Sequence, residues 1–216
     1  DTFWHLLMAL AVLMSGFVLG GGVGQFHPGA GATIVLAAEI VALPFLLLWL
    51  SQLATQVGGN MVLYGLTVLV RDLTSSNSAV SLLILTFLLP AVIFSALAGV
   101  YVDRFDRRKV LIVTNLVRAA LFVGLALLDT NIAAVFVLNV AVSIATTFFA
   151  PAELSMIPIV VPANQLTTAN GIFTLTLNAA FAIGFTVLGP LVVTIANPTV
   201  LIVMVAGLYL VAGVFC

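Results

Sequence analysis

Four of the six basic residues in this 216-residue chain lie together in GVYVDRFDRRKVL, Gly99 to Leu111. Arg104, Arg107, Arg108 and Lys109 supply cationic donors there, and Asp103 an anionic acceptor. The chemistry of such a set is reversible ion pairing and hydrogen bonding, because none of these groups is an activated nucleophile. The other reactive residue types are too sparse for catalysis or metal binding. His5 and His27 stand apart and Cys216 is the single cysteine, so no metal site and no internal disulfide are expected. No G-x-S-x-G, H-E-x-x-H or phosphate-cradling glycine loop occurs, so neither an enzyme nor a cofactor is expected. A net charge of -1 and the lack of a second basic stripe exclude nucleic acid as a partner.

Polar side chains also recur at helical spacing inside apolar runs. Gln52, Gln56 and Asn60 lie four apart, as do Asn139, Ser143 and Thr147, and so do Asn170, Thr174 and Asn178. Each trio shares one helix face, and an amide facing lipid is costly, so these faces are expected to turn inward. They serve either as hydrogen-bonded glue between helices or as walls of a polar cavity. Arg118 follows Lys109 by about 13.5 Å of helix, which places it near a bilayer midplane. It is expected to turn into protein or a wet cavity, where Asn139, Ser143, water, an anionic ligand or another part of the protein would meet it. No acidic residue stands obviously at the same depth.

The elements that position these residues are membrane helices. Hydrophobic residues make up 63% of the chain, charged residues 6%, and the mean hydropathy is +1.35. Soluble domains carry roughly 25% charge, so the lipid bilayer is the expected surrounding. Runs of about 20 apolar residues span a ~30 Å hydrocarbon core. Phe3 to Gly24 forms one such run, with Gly16, Gly20 and Gly24 on one face where another membrane protein could pack. The segment 1–40 is therefore read as an extra transmembrane or interfacial piece, and Pro44 is expected to divide Thr33–Leu43 from the first main helix, Phe45–Val70. Further spans are expected at Ala79–Val102, Val110–Leu128, Ile132 to about Ala150, Leu166–Ile195 and from Val200 onward. RDLTSSNS, Arg71 to Ser78, reads as a polar loop. The positive-inside rule puts residues 103–109 in the cytoplasm and Arg71 and Asp129 outside. A start at Asp1 without methionine and a stop inside an apolar run suggest a fragment.

The basic stretch resembles the G-x-x-x-D-R-x-G-R-R signature between the second and third helices of major facilitator superfamily transporters. Gly99, Asp103, Arg104, Arg107 and Arg108 match it, whereas Asp106 stands where many members carry glycine. A second stretch, FFAPAELSMIPIVVPANQLTTANG from Phe148 to Gly171, is similar to the segment joining helices four and five in the siderophore and multidrug exporter branch. The matching positions are Pro151, Ala152, Pro158, Val161, Gln165, Leu166, Ala169 and Asn170. Together the resemblance covers 41–216 and implies an all-α bundle, the amino-terminal six-helix half of a fold that normally has twelve helices. Gly189 and Pro190 resemble the Gly-Pro pair of an antiporter signature, but the preceding glycine, Gly184, is off register.

The family implies alternating access by two halves rocking about a midplane site. Gly99, Asp103, Arg104, Arg107, Arg108 and Lys109 would then form a cytoplasmic latch. Glu153, roughly 32 Å down a helix from Ile132, would arrive beside these arginines as a relay partner. The amide and hydroxyl stripes suit a neutral, amphipathic small-molecule substrate better than a small cation. The expected function is export of such a molecule through the plasma membrane, with a second six-helix half elsewhere in the chain or from another copy. The alternative is a non-transporting subunit that keeps the scaffold and assists assembly of a larger membrane complex.

Overall fold

A computed structural model describes the backbone of residues 31–216, with side chains from Leu43 onward except those of Asn164 and Thr168. The glycine face of Gly16, Gly20 and Gly24 lies outside these described residues. Helix α1 runs Gly31–Thr74, α2 Asn77–Val102, α3 Arg107–Leu127 and α4 Ile132–Val160. A short 3-10 turn, Ala163–Gln165, leads into α5, Leu166–Phe181, which continues through a π-helical stretch, Ala182–Leu188, into α6, Gly189–Ile195. The last helix, α7, is Pro198–Phe215. With α5, the π stretch and α6 counted as one crossing, six helical segments among the described residues are long and apolar enough to span a membrane. The fold is all-α, as expected.

Several boundaries differ from those read in the sequence. Pro44 lies inside α1 instead of dividing it. A proline removes one intrahelical hydrogen bond, a loss that neighbouring helices and local adjustment tolerate in apolar surroundings. The same holds for Pro151 and Pro158, which α4 absorbs on its way to Val160, ten residues beyond the expected end at Ala150. The polar run from Arg71 to Ser78 shrinks to a turn at Ser75 and Ser76. Here Ser75 takes φ 51°, and the Ser76 hydroxyl caps α2 by accepting from the Ala79 N–H. Arg71 belongs to the last turn of α1, where its charge faces the negative end of the helix dipole.

The loop between α2 and α3 explains the residue that departs from the family pattern. Asp106 is the N-cap of α3, its Oδ1 accepting from the backbone N–H groups of Arg108 at 3.0 Å and Lys109 at 3.4 Å. The turn between α3 and α4 is tied to the first turn of α7 by a hydrogen bond from the Thr199 hydroxyl to the Asp129 carboxylate. At the opposite end, Arg108 Nε donates to the Cys216 carbonyl at 2.7 Å. The antiparallel order read from loop lengths is thereby fastened at both ends.

Helix α7 packs against α1 and α3, α4 packs against α2 and α3, and the fifth crossing lies against α1. One apolar cluster gathers Leu66, Leu83, Phe122, Val135, Leu201 and Val205, and a second gathers Phe45, Val102, Leu111, Phe149 and Phe173 nearer the basic loop. The outer surface of α2 is apolar as well, with Leu85, Leu88, Leu89, Val92 and Ile93 exposed. In water such a wall is a large unfavourable patch, whereas lipid accepts it.

Two glycines set the approach of the fifth crossing to α1. A Cβ on Gly184 would stand 2.7 Å from the Val57 carbonyl oxygen and 3.0 Å from Asn60 Cβ, and one on Gly189 would stand 2.9 Å from Tyr64 Cβ. A π-helical turn widens the backbone at this contact. At Gly99, in contrast, a Cβ meets nothing within 4 Å among the described residues.

Substituting Gly184→Ala is expected to destabilise the bundle by about 1–3 kcal/mol, the usual cost of overpacking. Gly99→Ala is expected to be neutral or to stabilise by up to ~1 kcal/mol through helix propensity. Thermal unfolding of the detergent-solubilised protein distinguishes the two.

Candidate functional site

The interior polar site begins with Arg118, which is 2% exposed although it sits mid-helix in an apolar crossing. Its Nη2 donates to Asn115 Oδ1 at 2.6 Å, one turn earlier on α3, and its Nε donates to the Thr114 carbonyl at 3.3 Å. The guanidinium carbon lies 4.1 Å from the Phe149 ring centroid and 4.5 Å from that of Tyr209. A planar cation between two π faces recovers part of the hydration it gives up on burial. Tyr209 is itself fixed, packing on Phe122 at 5.2 Å and donating its hydroxyl to the Thr55 carbonyl at 3.3 Å. One side chain of α3 therefore joins α4 and α7 and, through Tyr209, α1.

Arg118 thus takes Asn115, Thr114, Phe149 and Tyr209 as partners, in place of the expected Asn139 and Ser143. The latter two are spent on α2. Asn139 Nδ2 donates to the Leu83 carbonyl at 3.1 Å and to the Thr86 hydroxyl at 3.2 Å, and the Ser143 hydroxyl donates to the Phe87 carbonyl. These contacts fall within the two turns before Pro90, which interrupts the α2 hydrogen-bond ladder. Thr147, also buried, donates to the Ser143 carbonyl at 2.9 Å. The α4 stripe acts as interhelical glue, with Asn139 also reaching the cavity.

That cavity has a volume of about 240 Å³. Its polar lining comes from Gln56, Asn60, Asn139, Arg118 and Glu153, and its apolar lining includes Phe87, Phe122 and Phe149. Asn60 Nδ2 donates to the Gln56 carbonyl at 2.8 Å, whereas Gln52 is buried beyond the lining with Oε1 unpartnered. The α5 stripe of Asn170, Thr174 and Asn178 is not in the cavity. All three side chains are exposed, with Thr174 donating to the Asn170 carbonyl and Asn178 to the Thr174 carbonyl.

Glu153 belongs to this interior and not to the basic loop. It is 5% exposed, lines the cavity, and the charged side chain acting on it is Arg118. Asp103, Arg104, Arg108 and Lys109 are exposed in and around the loop and Arg107 is half-buried. The sequence reading sent Glu153 to the membrane surface because the helix from Ile132 to Glu153 measures roughly 32 Å, a full crossing. Since α4 continues to Val160, Glu153 stays two turns inside the helix end. The acidic residue that Arg118 seemed to lack is therefore supplied by α4. Spacing could have revealed it, because Asn139, Val142, Thr146, Phe149 and Glu153 follow one another at intervals of three or four along one face. Phe149 and Tyr209 carried no such signal, because aromatic residues in apolar helices are ordinary packing until a cation is placed beside them.

Replacing Arg118 by lysine keeps the charge but loses the flat cation and the forked donors. Arg118→Lys is expected to cost about 2 kcal/mol or more, the size of a desolvated cation–π contact. The measurement is the unfolding midpoint of the purified protein, and an unchanged midpoint would count against the sandwich as a staple.

Comparison with known proteins agrees with this architecture. The family profile described as Major Facilitator Superfamily matches residues 45–216. The chain is 35% identical over 133 residues to the uncharacterized MFS-type transporter YkuC of Bacillus subtilis (strain 168), covering 59% of this chain and 30% of that protein. It is 29% identical over 133 residues to macrolide efflux protein A of Streptococcus pyogenes, covering 60% of this chain and 33% of the relative. The alignments thus span about a third of the length of these curated relatives. No solved structure matches the chain. With the profile running across all six crossings, the chain belongs to the major facilitator superfamily of multi-pass membrane transporters.

Proposed function

We propose that this chain is the amino-terminal half of a plasma-membrane exporter that moves a small amphipathic molecule by alternating access. The observation that carries this reading is the cavity of about 240 Å³ enclosed by α1, α2, α3, α4 and α7, in which amides alternate with aromatic rings. Such mixed lining suits a ligand with an apolar body and a few polar groups. The likeness to a macrolide efflux protein supports the outward direction.

A second six-helix half completes the site in this reading, from the same polypeptide or another copy. The exposed Asn170, Thr174 and Asn178 support a protein-covered face there, since exposed amides are unfavourable against lipid. The loop 103–109 is cytoplasmic and serves as the latch between halves. Its charges are largely exposed, and the flank of Gly99 is open to an approaching helix. Asp103 can then face the positive end of a helix in the partner half.

Full-length protein in lipid vesicles is expected to move the neutral amphipathic dye Nile red. Asp103→Asn is expected to lower that flux by about tenfold, equivalent to ~1.4 kcal/mol. Undiminished flux in the variant removes the latch. Stable copurification with other membrane proteins and no flux in the wild type removes the transporter in favour of an assembly subunit.

A further inference from the structure

Asn139 is pinned at one end of its amide and unspent at the other. Its Nδ2 carries two protons and gives both to α2, one to the Leu83 carbonyl at 3.1 Å and one to the Thr86 hydroxyl oxygen at 3.2 Å. These partners fix which end is which. The Leu83 carbonyl can only accept, and the Thr86 hydroxyl gives its own proton to that same carbonyl at 2.8 Å, so the nitrogen has to face α2. Oδ1 receives no donor among the described residues. Yet Asn139 is only 5% exposed and lines the cavity of about 240 Å³. The other polar lining is less selective. Gln56 and Asn60 keep both donors and acceptors after Asn60 Nδ2 has bound the Gln56 carbonyl, and Arg118 and Glu153 act on one another as opposite charges.

Given the transport reading above, on which this step rests, we propose that Asn139 Oδ1 is the specificity-determining contact of the cavity, accepting a hydrogen bond from a hydroxyl or neutral N–H group of the ligand. Asn139 cannot serve a ligand acceptor, because it has no proton left to give. A ligand that brings a donor satisfies the oxygen in place of water. One of the same shape without a donor excludes water and leaves a buried acceptor unpaired. The bonds to α2 hold the amide in place before the ligand arrives, so little side-chain freedom is lost on binding. Phe87, Phe122 and Phe149 supply apolar surface for the rest of the molecule. The substrate class narrows from amphipathic molecules in general to those that carry an alcohol, a phenol or an amide N–H beside an apolar body.

The test uses full-length protein in lipid nanodiscs and two fluorescent probes, 2-naphthol and 2-methoxynaphthalene. Both are uncharged at neutral pH, share a ring system and an oxygen, and differ in a single O–H donor. After subtraction of partitioning into empty nanodiscs, wild type is expected to bind 2-naphthol about fivefold more tightly, within the range of a neutral hydrogen bond. Asn139→Leu removes the oxygen and is expected to abolish the difference. Asn139→Thr, whose hydroxyl can still serve an α2 carbonyl, is expected to do the same and decides the matter if the leucine variant does not fold. Ser143→Ala removes the neighbouring tie to α2 but no group of the cavity lining, and should keep the preference. Equal binding of the two probes by wild type overturns the subsite. So does a preference that persists in a folded Asn139 variant, since another acceptor then reads the hydroxyl. Loss of the preference in Ser143→Ala also overturns it, because the loss then follows from a loosened α2. Nile red flux in vesicles separates this from the broader reading. Flux without a naphthol preference removes the subsite alone, and a naphthol preference without flux removes transport and leaves the subsite.

Discussion

The structure depends on how one buried cation is held. Arg118 stands in the middle of α3, and leaving its charge unsupported in an apolar bundle would outweigh many of the favourable contacts around it. The bundle answers with two π faces from two other helices and with oxygen acceptors from α3 itself. Tyr209 then needs a partner for its own hydroxyl and finds it in the Thr55 carbonyl of α1. The relative placement of α1, α3, α4 and α7 near the cavity thus follows from satisfying one guanidinium. The apolar clusters on either side supply contact area with little direction, because Leu and Val packing accepts several rotations of a helix.

A second constraint is the need to pair every backbone group where water is absent. Proline breaks the ladder in three of the long helices, a loss that apolar surroundings and close neighbours tolerate. Asn139 and Ser143 of α4 serve carbonyls of α2 just ahead of Pro90, so the packing of this helix pair is specified by hydrogen bonds as well as by shape. In the fifth crossing the departure is a π-helical stretch instead, with Gly184 inside it and Gly189 directly after it, whose missing side chains admit the backbone of α1 and the Tyr64 stem. An off-register glycine pair that reads as a poor family motif is a close-packed seam in three dimensions.

The six crossings among the described residues, their order and the family were legible because they rest on strong local signals. Apolar runs of spanning length, charged turns and the Gly99–Arg108 spacing are all visible in one dimension. The helix ends were less legible, because Pro44 resembles a breaker in water and is tolerated in an apolar bundle, as are Pro151 and Pro158. Glu153 was placed at the surface by helix length alone, which says nothing of the side toward which a residue turns. Asn115 was within reach as the residue one turn before Arg118, whereas Phe149 and Tyr209 come from 31 and 91 positions further along, a pairing only the tertiary fold creates.

Four-residue periodicity states that polar side chains share a face, and it leaves open where the face points. Three stripes with the same spacing meet three different fates here. Gln56 and Asn60 reach the cavity, Asn139 and Ser143 bind α2, and Asn170, Thr174 and Asn178 remain exposed. The exposed trio meets its hydrogen-bonding needs partly within its own helix, through bonds to carbonyls one turn back. A stripe able to do this does not have to face the interior, so its amides are weak evidence for a cavity. Glu153 lacks that option, because a carboxylate only accepts; it is buried in the interior, where Arg118 is the charged side chain acting on it.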